Sequence, residues 1–562
     1  MLLAVAWAVL LLLAGPAAAH STVMATSPGD DQVTPTAPAA VSVTFNEPVE
    51  LIPAGSLQVF SPSGTRVDDG AVQQPNGNVE TVTVGLTRGL PHGTYTASWR
   101  VISADSHPVA GAFTFAIGAP SATAVGVGTV SARGSTLVGT VYAAARTVAY
   151  AAFAVLAGVT AFLTLCWPAG ARTPGARRLL GGSWAVLVAA TLAIWALQGP
   201  YGTAAGLGSA LDPALLRATA HTRLGTALSV RLGLLAAAAP ALLWIATRLP
   251  GATGRTRSAA GTATTVLTAA TAATWAVADH AGTGPQVLLA MPADILHLTA
   301  MAFWLGGLVL LACVVLRPGS AAAEPELATA LPRFSAIALG CVAVLAASGL
   351  YQALRQVDSL SALTGTQYGR LLLFKTLGMA ALIALGYRAR TWTTVHVGRG
   401  RRSSPPPGPQ PRLPTARIRR SVALETAIAV GVLALSAVLV NTAPAREAHP
   451  SPAAATASFD TGGTHGTGTV KAAVTRAGTD GTSLRLAVLD PAGRPRTVPE
   501  VRAALTLPTR SIGPLPITLT ATGPGTYSGT VPTLIAGSWQ LSVTVRTDDV
   551  DETTVVLQVP IR

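Results

Sequence analysis

The chain has 562 residues, a net charge of +14 and only 11% charged side chains at a mean hydropathy of +0.49. A soluble domain carries about 25% charged residues, so this composition excludes a purely soluble protein, and the length predicts three or four structural units. The positive charge is not a nucleic-acid footprint: arginines cluster between apolar runs, at Arg172, Arg177 and Arg178 and from Arg399 to Arg420, as cytoplasmic loops of membrane proteins do.

Residues 1–19 read as a secretory signal, with an apolar run from Leu2 to Leu13, then Gly15-Pro16 and the small-residue site Ala17-Ala18-Ala19. No Lys or Arg precedes the run, so retention as an anchor stands as the alternative. Cleavage makes His20 the amino terminus and gives it two nitrogens for one metal ion, the imidazole and the freed α-amine. Residues 20–118 alternate in Val41–Phe45, Ser56–Phe60, Val79–Val84, Thr94–Trp99 and Ala112–Ile117, with Pro, Gly, Asn and Asp between, which predicts an all-β sandwich. Asp105 and His107 stand two positions apart, on one face of an extended segment. Imidazole, amine and carboxylate together suit a divalent metal, Cu(II) first, and the amine must lose its proton to bind, so affinity rises with pH.

Residues 119–142, rich in Gly, Ala, Ser and Thr, form a linker. From 143 to 441 come eight apolar stretches, near 143–166, 180–198, 224–247, 259–279, 292–316, 335–353, 370–388 and 421–441. Each is long enough for a span of about twenty residues. Ionisable groups inside spans are costly and mark function. On the fifth stretch Asp294, His297 and Met301 share one helical face, near Met291, near Asp279-His280 at the end of the fourth and near His221 before the third. His280, His297, Asp294 and Met301 are thus candidates for metal contact at the outer mouth, and Lys375 and Glu425 are expected to pair. Cys166, Cys313 and Cys341 lie in apolar runs without a C-x-x-C partner and read as small buried residues. After a linker over 442–465, residues 466–562 alternate again, as in Ser483–Leu489, Ile517–Thr520 and Trp539–Val545. This predicts a second, extracytoplasmic all-β sandwich, with no histidine and no assigned metal.

Four segments carry a family resemblance in the first region: Phe45-Asn46-Glu47-Pro48-Val49, Gly93-Thr94-Tyr95, Trp99 through Pro108, and Gly111-Ala112-Phe113. They resemble the CopC family of periplasmic copper-binding proteins. The resemblance implies a Greek-key sandwich holding Cu(II) on His20, Asp105 and His107, with Glu47 as an accessory residue. Some relatives add a methionine-rich Cu(I) site; Met24 is the only methionine here, so none is expected.

Asp294 through Leu298 with Phe303-Trp304-Leu305-Gly306-Gly307, Leu197 through Pro200, Arg333-Phe334-Ser335, Gln367 through Arg370, Lys375, and Arg420 through Glu425 resemble CopD, the membrane partner of CopC. The tail is similar to YtkA-like domains at Gly525-Thr526-Tyr527 and Ala536 through Trp539. The whole resembles a CopC–CopD fusion of the type called YcnJ: a multi-pass plasma-membrane protein with an eight-helix transmembrane bundle between two extracytoplasmic sandwiches. Its implied partners are copper ions, the lipid bilayer and an extracytoplasmic copper donor or acceptor, with no nucleic acid.

The expected function is copper transport, in the import direction, with Cu(II) captured outside and passed to the membrane domain. Without a Walker A motif the passage is passive or gradient-driven. Sequestration or sensing in copper resistance, and a membrane copper reductase or haem protein, stand as alternatives; the leading reading is not an enzyme.

Overall fold

The computed structural model describes residues 23–52, 55–104, 106–122, 136–278, 286–316, 324–357, 360–399, 415–440, 442, 453–462, 466–476, 482–508, 512–531, 537–548 and 550–561. Sequence alternation builds the first sandwich. In β3 (Ala40–Phe45) every second residue, Val41, Val43 and Phe45, is buried. One sheet joins β1 (Val23–Ser27), β3 and β6 (Thr81–Gly85). The other runs β2 (Gln32–Thr34), β8 (Pro108–Ile117), β7 (Gly93–Ser103) and β4 (Val49–Glu50), with β5 (Leu57–Phe60) also paired to β7.

Between the sheets Phe45 meets Trp99 edge-on at 5.1 Å and Tyr95 stacks on Phe115 at 5.6 Å. Gly111 is required there, because a Cβ would lie 2.6 Å from the Trp99 ring. The five expected segments each hold a strand. The structure adds β1, β2 and β4, which are too short or too mixed in composition to show a period of two.

Eight long helices follow the eight apolar stretches: α1 (Thr136–Leu165), α2 (Pro174–Thr203), α4 (Arg223–Arg248), α5 (Gly254–Ala276), α6 (Val287–Leu310), α7 (Glu324–Gln356), α9 (Gln367–Arg399) and α10 (Thr415–Val440). The short α3 (Pro213–Ala220) and α8 (Leu360–Gly365) lie between them. Six, namely α1, α2, α4, α6, α7 and α9, are long and apolar enough to cross a membrane, which makes this a multi-pass membrane protein. α5 falls outside the six because Thr262, Thr264, Thr265, Thr268, Thr271 and Thr274 dilute its apolar residues; α10 is also outside them.

α1 is the centre of the bundle. It packs against α2, α5 and α6, and 67% of its apolar window is buried, against 11% for α9. Where α1 crosses α6 the two backbones touch through Gly158 and Gly306: a Cβ on the first would strike the Ala302 carbonyl, and on the second that of Ala154. α6 ends in a π-helical turn over Leu311–Val315.

The connections Pro168–Arg172 and Leu249–Gly251 pack together, and Arg177 donates to the Ala246 carbonyl at 2.9 Å. Arg172, Arg177, Arg178, Arg248, Arg255 and Arg257 therefore gather at one end of the bundle. The first sandwich meets the other end.

The C-terminal region is a second sandwich. One sheet runs β14 (Leu519–Gly523), β15 (Thr526–Val531), β11 (Thr482–Leu489), β10 (Thr467–Arg476), β9 (Ala453–Asp460). The other runs β13 (Ile512–Ile517), β12 (Glu500–Leu507), β16 (Gly537–Arg546), β17 (Glu552–Ile561). Leu484, Leu486, Trp539, Leu541 and Val543 fill the space between.

Candidate functional site

β7 and β8 pair along almost their whole length, from Gly93 with Ile117 to Ile102 with Pro108, so only residues 103–107 remain for the turn. Two backbone bonds close it: Ser106 N–H to Ser103 O and Ser103 N–H to His107 O, both 2.8 Å. Ser106 takes φ +72°, a left-handed conformation costly for a residue with a Cβ. The tight corner turns His107 out of the sandwich and toward the helices. Its ring is not in water, since His107 is 5% exposed.

What faces it is α1. Arg146 Nη1 lies 3.3 Å from His107 Nε2. A guanidinium only donates, so Nε2 is the acceptor in this contact. The lone pair that would bind a metal is thus directed at a fixed cation.

Further bonds hold this corner to the bundle. Arg100 Nε donates to the Gly202 carbonyl at 2.6 Å at the end of α2, and Gln198 Nε2 donates to Ser106 O at 3.4 Å. Ser106 Oγ donates to Ala278 O at 3.2 Å just past α5, and Arg223 N–H at the start of α4 donates to Glu50 Oε1 at 2.8 Å. Burial lowers the pKa of Arg100 and raises that of Glu50, although the Arg223 N–H and charge pull Glu50 the other way. Gln198 is 2% exposed, and its Oε1 has no hydrogen-bond partner among the described residues, leaving a buried acceptor at the junction.

Of the other expected ligands, His20 and Asp105 lie outside the described residues, as do Asp279 and His280. Glu47 is half-buried two residues before Val49, which pairs with Ser103, so it sits near the base of the same corner. No group of three His, Cys, Asp or Glu side chains converges among the described residues.

Asp294 and His297 face α7, not the sandwich. Asp294 Oδ1 accepts from Gln352 Nε2 at 3.0 Å, and His297 Nδ1 lies 2.9 Å from Ser348 Oγ. The Ser348 hydroxyl donates to Val344 O at 2.6 Å, so Nδ1 carries the proton and Nε2 keeps its lone pair. Met301 packs into the apolar core of the bundle, Met291 is half-buried near the start of α6, and His221 is exposed where α3 ends. Asp294 and His297 thus turn toward α7, and His221 lies at the surface where α3 ends.

Lys375 lies within electrostatic reach of Asp294, whereas Glu425 accepts from Ser421 on its own helix at 3.1 Å; Lys375 and Glu425 do not pair. Cys166 and Cys341 are buried as expected, and Cys313 is exposed. Arg146 was missed because it stands one turn from the polar end of an apolar stretch and reads as a boundary residue. A charge on the sandwich-facing side of the first span was the available signal.

Residues 23–118 match the family model described as CopC domain, residues 328–439 that of Copper resistance protein D, and residues 468–556 that of FixH, where the sequence reading found a likeness to YtkA-like domains. The Copper transport protein CutJ of Bacillus subtilis (strain 168) is 30% identical over 469 residues, 81% of this chain and 81% of that protein. Copper resistance protein C of Xanthomonas campestris pv. juglandis is 31% identical over 112 residues, 19% of this chain and 86% of that protein. Among solved structures, CopC from Methylosinus trichosporium OB3b is similar at 25% identity, covering 19% of this chain and all of that one, with a TM-score of 0.16. A CopC domain, CopD helices and a FixH domain succeed one another in a polypeptide aligned with CutJ over most of both lengths, and the chain belongs to the family of CopC–CopD fusion copper transport proteins.

Proposed function

We propose that the protein imports copper across the plasma membrane, with Cu(II) captured by the first sandwich on His20, Asp105 and His107 and delivered to the helix bundle on which that sandwich is seated. One observation carries the reading: His107 is buried against α1, at the junction with the bundle rather than on the open face of the sandwich. Cargo bound there has the shortest path into the helices.

In this reading the mature His20 supplies amine and imidazole, Asp105 the carboxylate and His107 the second imidazole, a donor set that suits Cu(II). Glu47 is an accessory donor at the base of the corner. The Arg146 guanidinium occupies the direction in which a cation would approach His107 Nε2, so loading requires Arg146 to withdraw. The unpaired Gln198 carbonyl and the His297 imidazole, whose Nε2 keeps its lone pair, are the acceptors available on the bundle side; Asp294 and His280 are further candidates. Met301, packed into the core, is the weakest of the set. Eight crossings, with both sandwiches outside, complete the topology, and the protein acts as a carrier without enzymatic turnover.

The test is copper accumulation in cells starved of the metal. Deletion of the gene and the His107→Ala variant should both lower cell copper, and raised internal copper in either strain sinks the import reading in favour of resistance by export or sequestration.

A further inference from the structure

A groove of about 400 Å³ opens between α4 and α5 and reaches in to α1 and α2. Its floor is apolar, with Phe153, Leu187, Leu235 and Ile245. Three of the threonines along it have spent their hydroxyls: Thr160, Thr264 and Thr271 each donate to the carbonyl one turn back on their own helix, which leaves the lining predominantly apolar. Its rim includes exposed Ala241, Ala259 and Ala263, and in a membrane that rim faces lipid. Well-packed interiors rarely keep a void this large, and a groove open to acyl chains fills with one.

From Thr256 to Thr271 the groove runs along sixteen residues of α5, about 22 Å at helical rise. That exceeds half of a hydrocarbon core about 30 Å thick, so one acyl chain from one leaflet fits its length.

The leaflet is chosen by charge. At the Thr256 end the groove opens beside Arg255 and Arg257, with Arg248 one turn beyond Trp244 and Arg177 bonded to Ala246 O. Glu326, the carboxylate seen at this end, already accepts from the Trp167 indole at 2.7 Å. Among the described residues no carboxylate pairs with Arg248, Arg255 or Arg257.

We propose that this groove is a binding site for an anionic phospholipid, with one acyl chain between α4 and α5 and the phosphate against Arg248 and Arg255. A zwitterionic lipid fills the groove but its own choline offsets the phosphate charge offered to the arginines, and free phosphate meets the arginines but leaves the groove empty.

The test uses the full-length protein in detergent, titrated with phosphatidylglycerol or phosphatidylcholine carrying brominated chains, which quench Trp244 at the groove wall. Bound lipid is counted in parallel by native mass spectrometry. Phosphatidylglycerol should quench saturably and bind more tightly than phosphatidylcholine. The Arg248→Gln/Arg255→Gln variant should cost about thirty-fold in phosphatidylglycerol affinity and much less in phosphatidylcholine affinity, bringing the two close together. Ala263→Phe, which fills the groove, should abolish quenching by both, and Trp244→Phe should remove the saturable signal while the mass adduct persists. If Ala263→Phe unfolds the protein, Ala260→Val fills the same space more gently and must weaken both lipids. Equal affinity for the two headgroups, or phosphatidylglycerol adducts indifferent to filling of the groove, overturns the proposal.

Discussion

His107 and Arg146 meet as acceptor and donor at 3.3 Å, and in the proposed function a copper ion on His107 would need the direction that the guanidinium occupies. Like charges at such separation repel by several kcal/mol at an effective dielectric near 20, of which rearrangement and screening leave part. Arg146→Gln is therefore expected to raise Cu(II) affinity of the full-length protein about tenfold in a competitive titration, equivalent to about 1.4 kcal/mol, whereas Arg146→Lys keeps the charge and should leave affinity near its starting value. Unchanged affinity in the glutamine variant means that the arginine does not compete. Glu50 gives a pH-dependent test of the same junction. Burial raises its pKa above the usual 4.5, so the folded state prefers the protonated form. The cost of its charge is absent below the unfolded pKa, grows as pH rises, and is complete above the folded pKa. Glu50→Gln keeps an acceptor for the Arg223 N–H and should raise the thermal midpoint at pH 7 to 8 while matching the parent near pH 4. A gain that persists at pH 4 would have another origin.

At the scale of elements, the α1–α6 crossing is held by two glycines whose absent side chains let the backbones touch. Gly306→Val forces the helices apart and is expected to cost about 1–3 kcal/mol as an overpacked interface, seen as early thermal unfolding in detergent. Gly340→Ala, with nothing within 4 Å of the added carbon, should be neutral or stabilising. Equal behaviour of the two variants would remove the crossing as a point of strength. Such a contact is invisible in one sequence, because Gly158 and Gly306 are far apart in the chain and small residues abound in every span. Elements with strong periodicity were legible: β3 reads from Val41, Val43 and Phe45, and α1 from a long apolar run. Two-residue β4 has no period to read, and α5 looks marginal because its threonines count as polar although several bond back to their own helix. The Asp-x-His pattern exposed His107 as a ligand candidate, but its neighbour Arg146 belongs to another domain, and no local pattern joins them.

For the whole molecule, the question left by six clearly apolar helices is how often the chain crosses. Ala278, just after α5, bonds to Ser106 of the sandwich, while Leu249–Gly251, just before α5, packs at the arginine-rich end with Pro168–Arg172. α5 therefore runs from one end of the bundle to the other despite its threonines. α10 does the same: Leu439 near its end clusters with Ala362 and Tyr368, which follow α7, and the helix also packs on the π-helical turn at the far end of α6. On the proposed topology, eight traverses would return the chain to its starting side and put the arginine-rich end in the cytoplasm, the orientation that the positive-inside rule favours. The prediction is tested with single cysteines in a background where Cys166, Cys313 and Cys341 are replaced by alanine, labelled in intact cells by a maleimide that does not cross membranes. Ser209→Cys, between α2 and α3, and Gln286→Cys, at the start of α6 and after α5, should label directly; Thr253→Cys, between α4 and α5, only after permeabilisation. Labelling of Thr253→Cys in intact cells would overturn the orientation, and protection of Gln286→Cys until permeabilisation would mean that α5 does not cross and that the chain makes fewer than eight traverses.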